Sequence, residues 1–254
     1  LGEQAQRWQT DGPIGNDGGL LGSNGALALD AGSISNVNGT LTSQGSLTMN
    51  ARDGINNQQG KIISGGTLGL STAGVWDNRD AQVMAENLQL TAQGLNNAGG
   101  KLLAVEQLRL DIDGDADNQG GTLQAGELTL NGGGTLDNRN GRLFGQRAVR
   151  LHTDNVNNND GWIGGQQIVT LEAGRLENRN GSVLSSGDAT LKLSELDNRS
   201  GQLKANGVIS VNAGNIDNRH GEVYGGSELK LLAARTLDNR NGQLTAAGSL
   251  QLPA

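Results

Sequence analysis

The stretch Leu136-Asp137-Asn138-Arg139-Asn140-Gly141-Arg142-Leu143 is one copy of a repeat, because its pattern returns along the whole chain with the asparagine as its fixed residue. Successive copies of that asparagine are 19, 20 or 21 residues apart. A constant period in this range is typical of a solenoid, in which each repeat contacts only its neighbours. Twelve asparagines mark the repeats: Asn16, Asn36, Asn57, Asn78, Asn97, Asn118, Asn138, Asn158, Asn178, Asn198, Asn218 and Asn239.

Three sets of mostly aliphatic residues recur at fixed distances from the asparagine. One lies two residues before it, one lies five residues after it, and a pair lies about eleven and thirteen residues after it. In the repeat marked by Asn36 these are Ile34, Leu41 and the pair Leu47 and Met49. Two residues beyond the second set, every repeat has a small residue. Alternation at period two places these residues on the inward face of short strands.

Three short strands per repeat, with no helical periodicity, predict an all-β fold: a single elongated, right-handed parallel β-helix of about twelve coils. Leucine-rich repeats also carry an asparagine ladder, but their asparagine follows the strand within about three residues, whereas Asn36 follows Leu29 by seven. The nine-residue glycine-aspartate repeat of calcium-binding β-rolls is absent. We expect residues 1–13 to form a lead-in and residues 14–254 to form a shaft, roughly 55 Å long at a strand spacing of ~4.8 Å.

The repeated asparagine has a physical explanation. An inward amide that donates to one neighbour and accepts from the next satisfies its hydrogen bonds throughout a stack, and asparagine also tolerates the left-handed backbone region at a turn. We therefore interpret the twelve asparagines as a structural ladder. Three residues later, glycine occupies eleven of twelve positions and Ala81 the other, which indicates either a positive φ or a close approach between chains.

The composition disfavours several classes of function. The net charge of −7, with no basic stripe, opposes the counterion release that drives most nucleic-acid binding. The chain has no cysteine, and His152 and His220 are its only histidines, so we expect no metal site and no cofactor. No apolar run reaches the length of a membrane span, and the first eight residues have no signal-peptide core. We expect no embedded membrane segment, and a chain cut from a longer protein.

Charged residues flank the asparagine in most repeats. Carboxylates on adjacent coils would lie ~5 Å apart, which is the separation that retaining glycosidases use. Polysaccharide-cleaving β-helices build a cleft from long, dissimilar loops, whereas the turns here are short and alike. We predict a charge-balanced surface with no catalytic residues, and keep a β-helical polysaccharide-active enzyme as the alternative. The acidic set is Asp77, Asp117, Asp137, Glu177, Asp197, Asp217 and Asp238, and the basic set is Arg79, Arg139, Arg179, Arg199, Arg219 and Arg240.

The position six residues after the asparagine points outward by alternation. Ile63, Met84 and Leu103 occupy it on three successive coils and would form an apolar stripe, which is a candidate contact patch. Ordinary exposed apolar residues of a β-rich wall are the simpler explanation. Trp8, Trp162 and Tyr224 are too scattered to predict a sugar-stacking platform.

The consensus of the coils resembles a known repeat. The likeness is best seen in residues 173–181, Ala-Gly-Arg-Leu-Glu-Asn-Arg-Asn-Gly, and in residues 236–244, Thr-Leu-Asp-Asn-Arg-Asn-Gly-Gln-Leu. Both resemble the 20-residue haemagglutinin repeat of filamentous haemagglutinin-like exoproteins, and the likeness extends from about Ile14 to Leu252.

That resemblance implies a large secreted or cell-surface protein of Gram-negative bacteria, exported as a long β-helix through an outer-membrane transporter by two-partner secretion. Some relatives are adhesins, and others deliver a C-terminal toxin in contact-dependent growth inhibition. The asparagine-proline-asparagine motif of the family's secretion domain does not occur in this sequence. The resemblance therefore predicts a structural and interaction shaft, with the transporter and a host or neighbouring-cell surface as partners.

Overall fold

The computed structural model describes residues 5–252, and its twenty-six strands form one parallel β-solenoid of about twelve turns. Every pairing between these strands is parallel. Partners lie one repeat apart, so that Leu123 pairs with Leu102 on one side and Leu143 on the other. The part of the chain described contains no helix. The predicted parallel β-helix is thereby confirmed.

Each coil has three walls, which the chain visits in a fixed order. In eight coils the first wall is a separate short strand: β3 (Leu20–Ser23), β5 (Thr40–Ser43), β7 (Lys61–Ser64), β17 (Trp162–Gly165), β19 (Ser182–Ser185), β21 (Gln202–Ala205), β23 (Glu222–Gly225) and β25 (Gln243–Ala246). In the other four coils one strand continues from the first wall into the second: β10 (Gln82–Ala92), β12 (Lys101–Ile112), β14 (Thr122–Gly132) and β16 (Arg142–Asn157). Strand β16 continues further and also forms the third wall of its coil.

The second and third walls are joined in six further strands: β4 (Leu27–Ser35), β6 (Leu47–Asn56), β18 (Ile168–Glu177), β20 (Asp188–Asp197), β22 (Val208–Asp217) and β24 (Glu228–Asp238). Separate second-wall strands are β1 (Gln6–Gln9), β8 (Thr67–Thr72) and β26 (Ser249–Gln251). Separate third-wall strands are β2 (Ile14–Gly15), β9 (Val75–Asp77), β11 (Gly94–Asn96), β13 (Ala116–Asp117) and β15 (Thr135–Asp137).

The core fills the space between the walls, and the predicted inward columns line it. Ile34, Leu41, Leu47 and Met49 are each at most 2% exposed. Trp76 stands in the third-wall column and is fully buried, so that the solenoid encloses even this large side chain. Burial of these aliphatic columns, repeated from coil to coil, is the main source of stability for such a stack.

The predicted lead-in already follows the path of a coil. Within it, β1 pairs with β4 in register, from Gln6 opposite Leu27 to Gln9 opposite Asp30. The division of the chain at residue 13 stays a prediction. Residues 1–4 of the lead-in and residues 253–254 of the shaft lie outside the described residues.

Candidate functional site

The turn between the third and first walls brings together most of the repeated polar residues. In the coil of Asn138, the amide of Gly141 donates to the carbonyl of Asn138 at 3.0 Å and closes a four-residue turn. The third residue of this turn has a positive φ in all twelve coils, from 53° at Asn38 to 65° at Gly99. The left-handed region therefore falls two residues after the ladder asparagine. None of the twelve ladder asparagines adopts it.

The ladder asparagines form a continuous chain of side-chain hydrogen bonds. Nδ2 of each asparagine donates to Oδ1 of the asparagine on the following coil, and the eleven bonds are 2.7–2.8 Å long. The ten asparagines between the two ends are at most 1% exposed, whereas Asn16 and Asn239 are half-buried. In ten coils Nδ2 also contacts the carbonyl of the turn's fourth residue at 3.2–3.4 Å. The stack thus gives each interior side-chain amide one donated and one accepted hydrogen bond, while its contribution to stability stays a prediction.

Glycine at the fourth turn position is required by close approach rather than by φ. A Cβ on Gly141 would collide with the carbonyl oxygen of Asn118 on the preceding coil and with Oδ1 of Asn138. Ala81 is the exception, and its amide lies 3.3 Å from the carbonyl oxygen of Asn78, against 2.9–3.2 Å for the glycines. The ladder bonds at Asn78 are still formed, at 2.8 Å.

The charged residues beside the ladder form ion pairs on the outer surface. In the coil of Asn138, Nη2 of Arg139 lies 2.7 Å from Oδ2 of Asp137, and the backbone amide of Arg139 donates to the same carboxylate at 3.2 Å. The same arrangement occurs at Arg79, Arg199, Arg219 and Arg240. In these five coils the acidic and basic side chains that flank the asparagine therefore pair with each other. Most of these groups are partly exposed, so each pair contributes little on its own.

Asp197 differs from the other carboxylates of this surface. Glu177 replaces aspartate on the preceding coil, and Arg179 reaches across to Asp197 at 2.7 Å while Arg199 binds it at 2.8 Å. Burial by itself raises the pKa of Asp197, but the hydrogen bonds from Arg199 and Arg179 outweigh burial and lower the pKa to about 2. A general acid of a glycosidase needs a raised pKa. The lowered pKa of Asp197 is therefore the opposite of what a general acid at this position would need.

The candidate contact patch lies on the outer face of the first wall. Met84 pairs with Ile63 on one side and with Leu103 on the other, so the three side chains are lateral neighbours on consecutive coils. All three are half-buried rather than fully exposed. The register therefore produces the stripe, and whether it binds a partner stays a prediction.

A second feature of the same face was missed from the sequence. Phe144 and Trp162 belong to different outward columns, yet their ring centroids are 5.8 Å apart, and the guanidinium of Arg142 lies 3.9 Å from the Trp162 ring. Reading each column separately hides this lateral pairing. The sequence did contain a sign of it, because Gly164 stands between Phe144 and Leu184 in the outward column and leaves room for a neighbouring ring.

Residues 5–252 hold no group of three or more histidine, aspartate or glutamate side chains placed to bind a metal ion. A helix long and apolar enough to cross a membrane is likewise not found in that range.

The chain is a stack of near-identical coils with short turns, and each coil contributes one asparagine to the ladder. These features are those of a solenoid shaft built from repeats of about 20 residues. The haemagglutinin repeat family matches residues 14–120, 121–192 and 185–252, which together cover nearly the whole chain. The chain belongs to this family. Searches of curated proteins and of solved structures give no match.

Proposed function

We propose that this chain is a shaft segment of a large secreted or cell-surface bacterial exoprotein, and that it holds an adhesive or toxin-delivery region away from the cell. The supporting observation is the uniformity of the stack, in which eleven hydrogen bonds of nearly equal length between asparagine side chains join twelve coils. A solenoid with contacts only between neighbours gains length without changing its cross-section. At ~4.8 Å per coil, twelve coils supply a reach of roughly 55 Å.

Family membership supports the partners that we propose. Proteins of the haemagglutinin repeat family are typically secreted or surface-exposed, and the repeat suggests export by two-partner secretion. The outer-membrane transporter of that system would act on the full-length protein, and a host or neighbouring cell would be contacted at the far end. Both adhesion and contact-dependent inhibition require such reach.

Deleting whole coils from the parent protein tests the shaft role. Removal of residues 138–197 takes out three complete coils and joins Asp137 to Asn198, so the ladder register is kept. We expect export to persist while the reach falls by roughly 14 Å, with a graded loss of cell attachment or inhibition. Removal of residues 138–187 is the matched control, because it takes out two and a half coils and breaks the register. Equal behaviour of the two deletions would contradict the shaft role.

Adhesive contact along the shaft is a separate part of the proposal. The Ile63, Met84 and Leu103 patch is its most credible site, because it is continuous over three coils. Changing all three to serine should weaken attachment to cells while the far-ultraviolet circular dichroism stays unchanged. Leu20, Val75 and Val105 are 72%, 50% and 66% exposed but lie apart, so their triple change to serine is the control. Equal attachment of both triple variants would leave the patch an ordinary surface.

The polysaccharide-active enzyme has no specific observation in its favour. The steps between coils stay within 19–21 residues, which leaves no long loop to build a cleft. We propose that the segment has no catalytic activity. Cleavage of a polysaccharide by the purified chain, lost on changing Asp197, Asp217 and Asp238, would overturn this.

A further inference from the structure

The outer face of the first wall carries opposite charges on the two sides of the candidate contact patch. In strand β10, Gln82 precedes Met84 and Glu86 follows it. Lys61 and Lys101 pair with Gln82 from the coils on either side, so both lysines lie on the side of the patch where the strand begins. Glu86 lies on the other side, where the first wall turns into the second, and all three charged side chains are exposed. The patch therefore separates a basic side from an acidic side.

These three charges are unpaired, unlike the equivalent residue types elsewhere in the chain. The other three lysines each have a carboxylate oxygen at 2.6–2.9 Å, whereas Lys61 and Lys101 have no ion-pair partner among residues 5–252. Glu86 is likewise the only glutamate in that range without an ion pair. The carboxylate of Asp80, in the turn beside the lysines, packs on Gly99 instead. Free charges of opposite sign thus flank one apolar patch.

A second copy of the chain supplies the missing charges when two shafts lie side by side in the same direction. A two-fold axis parallel to the shaft, placed over the patch, brings each residue of the patch opposite its own counterpart. The same axis brings the acidic side of one copy opposite the basic side of the other, so that Glu86 lies between the levels of Lys61 and Lys101 of the second copy. Such a contact is self-complementary, and every pairing of charges occurs twice.

The antiparallel arrangement lacks this complementarity. A two-fold axis across the shaft at the level of Met84 would bring Glu86 opposite Glu86 of the second copy, and Lys61 opposite Lys101 of the second copy. Like charges that face each other oppose association. The charges beside the patch therefore favour the parallel arrangement.

We propose that the candidate contact patch is an interface through which two shafts pair side by side and in parallel. This inference rests on the contact role proposed above for the patch, and it identifies the partner as a second copy of the chain. The patch spans three coils, or roughly 10 Å, so the interface is small and the pair is weak in solution. Two shafts held by one cell surface point the same way at a high effective concentration, which suits a weak parallel contact.

Charge reversal tests the pairing by sedimentation equilibrium. The mass of the wild-type chain should rise toward that of a dimer with concentration. The double change Lys61→Glu and Lys101→Glu brings like charges opposite Glu86, and Glu86→Lys brings a positive charge opposite the two lysines. Each variant alone should dimerise at least about tenfold more weakly, and an equimolar mixture of the two should dimerise again. Lys192→Glu alters the same charge on the second wall and should leave association unchanged.

A spin label tests the direction of the pair. The chain has no cysteine, so Leu184→Cys gives one labelled site in the same outward column, five coils from Met84. In a parallel pair the two labels lie near the ~10 Å spacing of facing sheets, whereas in an antiparallel pair centred on Met84 they lie roughly 48 Å apart. We expect the short distance, and its loss when Glu86→Lys is added as the control.

The pairing and the shaft role can fail separately. A wild-type chain that stays monomeric at millimolar concentration would overturn the pairing, as would unchanged association of both charge variants or no recovery in their mixture. The long distance between labels would overturn the parallel direction. Loss of cell attachment in the triple serine variant, with a monomeric wild-type chain, would assign the patch to the cell surface instead. None of these outcomes bears on the export and reach of the coil deletions.

Discussion

Two ladders run side by side along the solenoid, one residue apart in sequence, and they differ in their surroundings. The amide ladder of Asn138 and its equivalents lies inside the wall at 0–1% exposure over its ten interior members. The ion-pair ladder of Asp137 and Arg139 lies outside, with side-chain exposures of 20% and 46%. Both repeat with the same period. A repeated column therefore reflects the geometry of the coil, whereas the free energy that each column contributes depends on whether water competes for its hydrogen bonds.

The largest effect is expected where the inner ladder is broken. Asn138→Ala leaves the Nδ2 donor of Asn118 without its 2.7 Å partner and leaves Oδ1 of Asn158 without a donor, both in a buried site. The free energy of unfolding should fall by roughly 1–3 kcal/mol, the cost of buried polar groups left unpaired. Urea denaturation measures the loss, and hydrogen exchange should locate it in the neighbouring coils.

Asn239→Ala is the matched control for the interior variant. Asn239 occupies the same column but is half-buried, so water can replace the lost partner and the destabilisation should be smaller. Equal losses of unfolding free energy at the two positions, or no loss at Asn138, would contradict the view that burial makes the ladder hydrogen bonds stabilising.

The repeat made the inner ladder predictable and hid the irregular features. Period, strand alternation and the inward columns could be read from the sequence, because each is reinforced by twelve copies. The position of the positive φ could not be read from the sequence, because asparagine, serine, glutamine and histidine all occur at the third turn position, for example at Gln59 and His220, so no single residue type marks it. The pairing of the Phe144 and Trp162 rings was missed because it depends on lateral neighbours from separate coils.

A smaller effect, with a distinct pH dependence, is expected at Asp197. Two arginines bind this carboxylate, and its folded pKa of about 2 lies below the ordinary value of 3.8. A lowered folded pKa means that the ionised carboxylate stabilises the fold above pH 3.8, and that this stabilisation is lost as the pH falls through about 2. Asp197→Asn should therefore lower the free energy of unfolding at pH 7 by roughly 1 kcal/mol.

The pH series is the decisive part of that measurement. Urea midpoints of wild type and Asp197→Asn should converge as the pH is lowered from about 4 to about 2, because the wild-type carboxylate becomes protonated. A difference that stays constant over this interval would show that the arginine pairs do not act through the charge of Asp197.

The smallest effect is expected on the exposed ion pair, where the outer ladder is least protected from water. Arg139→Ala removes a bidentate partner of Asp137, yet the arginine side chain is 46% exposed and water can solvate the freed carboxylate. The free energy of unfolding should fall by no more than about 0.5 kcal/mol, and the difference should vanish in about 1 M salt. The matched change Arg179→Ala removes one of the two arginines on the buried Asp197 and should cost more. Equal destabilisation of the two arginine variants, with equal insensitivity to salt, would show that burial does not distinguish the ion pairs. The contrast between the inner and outer ladders would then rest only on the hydrogen bonds between the asparagine side chains.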